Sequence, residues 1–333
     1  MSARAAIFGL KGPYLRESET AFFRESDPWG FILFARNVES PKQLARLCVS
    51  LRDVVGRDAP IFIDQEGGRV QRLRSPYWRE WEPPLTQVDR DGTERGMYLR
   101  GLLIGQELRE IGIDSNCAPS ADIAFPETHP FLQNRCYGRD AGTVTRMARA
   151  NAEGLSDAGV LPVLKHAPGH GRATLDSHRD LPVIDAPLAE LEATDFAPFR
   201  ALADLPMAMT AHIVVPAIDP DVPVTLSRAG MRYLRDRIGL DMLIMTDDIS
   251  MGALAGPIGR STEQSIRAGC DVVLHCNGDL AEMNAVAAHA GRLGEAAQAR
   301  ADAALAARRT PVEIDIPGAL SELGTLLRET AYA

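Results

Sequence analysis

Short apolar runs recur along the chain, and the longer segments between most of them carry apolar residues at helical spacing. The runs are residues 5–9, 31–34, 61–64, 113–117, 161–165, 207–211, 242–246 and 271–275. They are continuous rather than alternating and often β-branched, the pattern of parallel strands buried on both faces. The intervening segments 41–54, 93–111, 143–158, 188–202, 228–237 and 262–268 predict helices, and 282–309 and 318–330 close the chain as two more. Eight strands alternating with helices predict an α/β fold, a single (β/α)8 TIM-type barrel. The alternative is an open doubly wound sheet, for which Phe8-Gly9-Leu10-Lys11-Gly12 is a weak phosphate turn. No linker or low-complexity segment divides residues 1–333, so one domain is expected.

Composition narrows the class. Hydrophobic residues make up 45% of 333 positions, enough for a large core and against disorder. The net charge of −9 is spread with both signs interspersed, and no basic patch is interleaved with aromatics, so nucleic acid is not an expected partner. Five cysteines at irregular spacing, without a CxxC pair, suit reduced thiols rather than a disulfide framework. The start is too short and interrupted for a signal peptide, and no apolar run reaches the ~18 residues of a membrane span. A cytoplasmic, monomeric protein without membrane contact is the expectation, as single-domain barrels are often monomers.

Candidate chemistry concentrates where strands end at their carboxyl side, the active face of a barrel. Arg36 and Asn37 follow the second run. Asp64, Glu66, Arg69 and Arg72 follow the third, with Gly67 and Gly68 able to let backbone approach a ligand. Asp122 and Arg135 follow the fourth, Lys165 and His166 close the fifth, His212 follows the sixth, Asp247 and Asp248 the seventh, and His275 and Asn277 the eighth. Each alone suits a structural hydrogen bond; their shared placement points to a site. Residues 164–182 are the densest stretch. Three histidines, a lysine, two arginines and Asp176 share a loop with two glycines and two prolines, too polar to serve a core. Asp176 lies two residues from His178, close enough to orient its imidazole as an acid/base near neutral pH. Asp247 follows its strand directly and suits a nucleophile, whereas Asp248 suits a cap or a supporting role.

At these residues the chain resembles a known family. Lys165-His166-Ala167-Pro168-Gly169-His170-Gly171 with Asp176-Ser177-His178 is similar to the signature of glycoside hydrolase family 3, in particular its single-domain bacterial β-N-acetylglucosaminidases of peptidoglycan recycling. The segments 30–37, 64–72, 209–213 and 246–251 agree in the same order, so the resemblance runs from about residue 28 to about residue 276. It implies that Asp247 is the catalytic nucleophile, His178 the acid/base, and Asp176 the carboxylate that holds His178. It implies also that Asp64, Arg72, Arg135, Lys165 and His166 bind N-acetylglucosamine. Arg139 is the competing arginine, and Arg135 is preferred on spacing. Two positions depart from the family pattern: Ala167 stands where phenylalanine is usual and Thr246 where serine is usual.

The chemistry so implied is retaining hydrolysis. Asp247 attacks the anomeric carbon; His178 protonates the leaving oxygen and then deprotonates water. Asp176 fixes the imidazole, as the orienting carboxylate does in a serine protease. Glycines 169 and 171 are expected to let the loop move. His170 is expected to clamp the loop, and His129 and His289 to lie on the surface. No metal and no cofactor are expected. The substrate implied is a carbohydrate, a muropeptide carrying N-acetylglucosamine on 1,6-anhydro-N-acetylmuramic acid. Three readings compete: a phosphorylase on the same fold, since a histidine acid/base leaves room for phosphate; a metal-dependent hydrolase using His166, His170, His178 and His212; and a non-catalytic sugar-binding protein.

Overall fold

A computed structural model of the chain describes residues 2–175, 177 and 180–329. Eight parallel strands close into a barrel: β1 (Arg4–Gly9), β2 (Pro28–Leu33), β3 (Ile61–Ile63), β4 (Ser115–Asn116), β5 (Leu161–Ala167), β6 (Met207–Thr210), β7 (Leu243–Asp248) and β8 (Val272–His275). Each strand pairs with its sequence neighbours, and β8 returns to β1 with Ile7 beside Leu274. The open doubly wound sheet is therefore excluded.

The continuous apolar runs are explained by burial on both faces. In β1, Ala5 and Ile7 join the barrel interior with Ile32, Phe62, Val163, Met209, Met245 and Leu274. Their neighbours Ala6 and Phe8 face outward into the layer between strands and helices. Both faces are dry, so no polar alternation survives in the sequence.

Helix boundaries follow local chemistry. Ser40 caps Pro41–Val55 by accepting the Gln43 backbone N–H at 3.3 Å, and Gly56 ends that helix in the left-handed region. Two predicted helices are each broken in two. The segment 282–309 becomes Leu280–Ala290 and Glu295–Ala306. Between them the chain leaves the helix at Gly291 (φ 67°) so that its carbonyl accepts the Ala5 N–H and the Leu293 N–H reaches Ala3. Pairing with the start of β1 overrides the alanine-rich helical tendency. The segment 188–202 divides into Leu188–Ala193 and Ala197–Ala201 at Thr194 and Asp195, with Pro198 in the first turn of the second helix. Asp195 there accepts the Arg172 Nε at 2.8 Å. A helix Glu17–Ser26 was not predicted, and neither was a hairpin of Gln65–Gly67 with Val70–Gln71. Among the described residues no helix is long and apolar enough to cross a membrane. All five cysteines are buried and unpaired.

Candidate active site

The carboxyl ends of the strands surround a cavity of about 280 Å³, near the ~300 Å³ lower bound for small-molecule pockets. Asp64, Arg72, Arg135, Lys165, His166 and Asp247 all line it. Six of the eight residues expected at the site thus converge from β3, the hairpin after β3, the segment after β4, β5 and β7. The other two, Asp176 and His178, lie outside the described residues.

The cations and carboxylates form one buried network. Lys165, 1% exposed, lies 3.0 Å from Asp64 Oδ1 and 2.5 Å from Glu66 Oε1. Arg72 Nη2 donates to Asp64 Oδ2 at 2.9 Å. Arg135 grips Glu66 with both prongs, Nε to Oε2 at 2.9 Å and Nη2 to Oε1 at 2.8 Å. Burial alone would raise both carboxyls. Lys165 and Arg72 outweigh it at Asp64 and hold that group well below the carboxylate range. Arg135 and Lys165 do the same for Glu66, which is brought down from 4.5 to about 2. Lys165 is raised in turn: its own burial is outweighed by Asp64 and Glu66. Arg139, the competing arginine, is exposed and paired with Asp89, so the geometry brings Arg135 and not Arg139 to the cavity.

A second carboxylate, Asp122, fixes His166. Asp122 Oδ2 lies 2.7 Å from His166 Nδ1, and Arg135 Nη2 lies 3.3 Å from Nε2. A guanidinium only donates, so Nε2 must accept and the proton sits on Nδ1, toward Asp122. Burial raises Asp122, but His166 and His170 reverse the effect and hold it ionised. Its other oxygen accepts the backbone N–H of His170 at 2.6 Å.

Asp247 is the penultimate residue of β7, inside the strand rather than just beyond it as the apolar run suggested. Its Oδ1 accepts the Asp248 backbone N–H at 2.8 Å. Burial pulls its pKa up, but His166, His212 and that N–H prevail, so it stays an anion. Asp248 faces a different task. Its Oδ1 accepts from Ser250 N at 3.1 Å, Ser250 Oγ at 2.9 Å and Cys276 N at 3.2 Å, tying the loop after β7 to the end of β8. Thr246, one of the two departures, accepts the Leu274 N–H at 3.0 Å through its hydroxyl; the other, Ala167, is fully buried.

Several rim residues serve the scaffold. Asn37 Nδ2 donates to Gly12 O at 2.7 Å and its Oδ1 accepts from Phe34 N at 2.8 Å. His212 is held between Thr225 Oγ1 at 2.8 Å and the Asp248 carbonyl at 3.0 Å. His275 pairs with Glu282 at 2.9 Å. Arg36 and Arg72 flank the Phe34 ring, 4.8 and 5.0 Å from its centroid, at the cavity mouth.

Some expectations change. Gly169 and Gly171 were expected to supply loop motion, yet each is closely packed: a Cβ on Gly171 would lie 2.0 Å from the Ile123 carbonyl, and one on Gly169 2.9 Å from that of Asp195. The hairpin glycines sit at positive φ, Gly67 at 109° and Gly68 at 59°, and what approaches them closely is the protein's own chain, Glu82 O at Gly67 and Pro83 at Gly68, and not the cavity. His129 lies at the edge of a smaller cavity beside His170 and not on open surface. Glu66 and Asp122 appeared in the sequence only as strand-end polar residues. Their anchoring of Arg135, Lys165 and His166 comes from tertiary contact. One signal existed for Glu66: it lies two residues from Asp64, hence on the same side of an extended segment. Among the described residues, no group of three or more histidine, cysteine, aspartate or glutamate side chains is placed to hold a metal.

Residues 16–308 match the family described as the Glycosyl hydrolase family 3 N terminal domain. The chain is 36% identical over 280 residues to a beta-hexosaminidase of Alkalilimnicola ehrlichii, with 81% of this chain and 80% of that protein covered. It is 36% identical over 284 residues to one of Bordetella pertussis, with coverage of 82% and 80%. Among solved structures it resembles NagZ from Neisseria gonorrhoeae in complex with N-trifluoroacetyl-D-glucosamine, with a TM-score of 0.80, 28% identity, and 98% of this chain and 99% of that chain covered. It also resembles a glycoside hydrolase family 3 beta-N-acetylglucosaminidase from Paenibacillus sp., with a TM-score of 0.84 and 30% identity, where it covers 98% of itself and 66% of that longer chain. The family match spans seven of the eight strands and the whole carboxylate-bearing rim, and the chain belongs to glycoside hydrolase family 3.

Proposed function

We propose that the chain is a retaining exo-β-N-acetylglucosaminidase that removes terminal non-reducing N-acetylglucosamine from peptidoglycan fragments. The observation that carries this reading is Asp247: an ionised carboxylate at a barrel rim, inside a cavity of about 280 Å³ that the Asp64–Arg72–Lys165–Arg135 network also lines. The beta-hexosaminidase relatives and the N-acetylglucosaminidase structures support the same sugar.

In this reading Asp64 accepts hydrogen bonds from sugar hydroxyls while Arg72, Arg135 and Lys165 donate to others. Charged hydrogen bonds of this kind contribute about 1.5–3 kcal/mol each. Glu66 and Asp122 keep the donors aimed by holding Arg135, Lys165 and His166 at fixed points. Asp247 Oδ1 is held by the Asp248 N–H, which leaves Oδ2 as the attacking oxygen. It bonds to the anomeric carbon as the glycosidic bond breaks, and His178, steered by Asp176, gives its proton to the leaving oxygen. In the second half the imidazole takes a proton from water, the water oxygen displaces the aspartyl ester, and the β-anomer leaves. The substrate envisaged is a muropeptide with 1,6-anhydro-N-acetylmuramic acid as aglycone, met in the cytoplasm by a monomeric single-domain enzyme.

The test is hydrolysis of a chromogenic N-acetyl-β-glucosaminide beside the matching β-glucoside. Turnover of the N-acetyl sugar supports the reading; turnover of the glucoside alone refutes it. Labelling with a fluorinated N-acetylglucosaminyl substrate should place the adduct on Asp247. The same assay with and without phosphate decides between water and phosphate as acceptor.

A further inference from the structure

His170 is buried, 6% exposed, and its ring is the least satisfied polar group near the site. Neither Nδ1 nor Nε2 has a hydrogen-bond partner among the described residues, although the backbone N–H of the same residue is firmly held by Asp122. A buried donor or acceptor left without a partner is destabilising unless water satisfies it. Beside the ring lies a cavity of about 20 Å³, whose polar lining residues are His129, Arg135, His166, His170, Ser177 and Asp247. One water needs about 10–15 Å³ and two to four polar partners. The chamber meets both conditions and is too small for a second molecule. Phe131, Arg135, His166 and Asp247 wall both this chamber and the larger cavity, so it abuts the sugar site at Asp247.

We propose that His170 is a positioning residue holding one water molecule in this chamber, and that this water completes hydrolysis by attacking the glycosyl ester of Asp247. The inference rests on the retaining mechanism proposed above. The water oxygen bonds to the anomeric carbon as the bond to Asp247 breaks and the carboxylate is restored. One water proton passes to the acid/base, given to His178 by the sequence, and the other stays on the sugar as the anomeric hydroxyl. His170 exchanges no proton with the substrate. Burial, opposed by Asp122 and reinforced by His166, brings its pKa down from 6.5 to about 4, so the ring stays neutral with one donor and one acceptor. A neutral ring can accept from water without taking its proton.

The test separates the two half-reactions. With an activated aryl N-acetyl-β-glucosaminide, kcat/KM reports formation of the ester and kcat its hydrolysis once that step is slow. His170→Phe fills the chamber and should lower kcat about 10- to 100-fold, the scale of a misplaced reactant. KM should fall in parallel, so that kcat/KM stays within about twofold, with a burst of aryl alcohol and the ester on Asp247 captured by mass spectrometry. His170→Gln, which keeps a donor and an acceptor, should retain most of the wild-type kcat. His170→Leu replaces the Phe variant if that chain does not fold. A parallel fall of kcat and kcat/KM, or an unchanged kcat, overturns the proposal. Trapping on the wild-type enzyme keeps the two failures apart. If the fluorinated substrate leaves no adduct on Asp247, the retaining reading itself fails and this inference with it. If the adduct forms but the kinetic pattern does not, only the role of His170 fails.

Discussion

Glu66→Gln is the sharpest probe of the network that shapes the site. Glu66 is 1% exposed, holds Arg135 through two hydrogen bonds and shares Lys165 with Asp64. In the wild-type cluster two carboxylates, Asp64 and Glu66, face three cations. The glutamine leaves one carboxylate for the three and points amide hydrogens at donors. Removing one partner of a buried ion pair costs about 3–5 kcal/mol. A second route agrees: bringing the carboxyl from 4.5 to about 2 corresponds to about 3 kcal/mol at 1.36 kcal/mol per pKa unit. At about 2.1 cal/mol/K of unfolding entropy per residue, scaled to 333 residues, this lowers Tm by about 4–7 °C. The pH dependence has a definite sign. The folded pKa lies below the unfolded one, so the stabilisation is full above about pH 4.5 and is lost as pH falls through about 2. Calorimetry of wild type and variant should therefore show a gap at pH 7 that narrows between pH 4.5 and 2. With Arg135 unanchored, KM for the chromogenic sugar should rise about tenfold. A variant melting within 1 °C of wild type at pH 7, or a gap that persists unchanged to pH 2.5, would refute the electrostatic account.

Four further outcomes follow from particular contacts. Asp247→Asn should cut turnover about 10³-fold or more while the Kd for N-acetylglucosamine, read by calorimetric titration, stays within about threefold; comparable loss of both would make Asp247 a binding group. Asp122→Asn frees His166 from its tautomer and should lower kcat/KM about 10- to 100-fold, with an upfield or downfield shift of the His166 ring resonances; unchanged resonances would mean that Asp122 does not hold the ring. Gly171→Ala puts a methyl group 2.0 Å from the Ile123 carbonyl and should destabilise by about 1–3 kcal/mol or more, seen as a lower urea midpoint; a neutral effect would restore a hinge role for that glycine. Thr246→Val strands the buried Leu274 N–H and should cost about 1–3 kcal/mol, whereas Thr246→Ser should be nearly silent.

The barrel was legible because its cause is local. Strands dry on both faces read as continuous apolar runs, and parallel strands need a connection between them, so the βα period appears directly in the sequence. The breaks near Thr194 and Gly291 were less legible. At Thr194 the Pro198 signal was present, but the segment is punctuated by the Asp195–Arg172 pairing; at Gly291 the chain turns to reach Ala3 and Ala5. The two-residue strand Ser115–Asn116 is shorter than its apolar run, and β7 runs on to include Asp247 and Asp248. Strand ends are set by neighbouring registers, which no window of sequence contains.

Residue types and their spacing alone determined the alternation of strands and helices, the accumulation of charge at strand ends and the candidate nucleophile Asp247. Those features depend on hydrophobic periodicity and on carboxylates following strands, properties of short segments. Tertiary structure decided which charges meet: that Arg135 and not Arg139 turns inward, that Glu66 and Asp122 hold Arg135, Lys165 and His166, and that His170 is enclosed beside a small chamber with its ring nitrogens unpaired among the described residues. The reason is distance along the chain. Asp64 and Lys165 are 101 residues apart and Glu66 and Arg135 are 69 apart, and only closing the barrel brings such groups within hydrogen-bonding range.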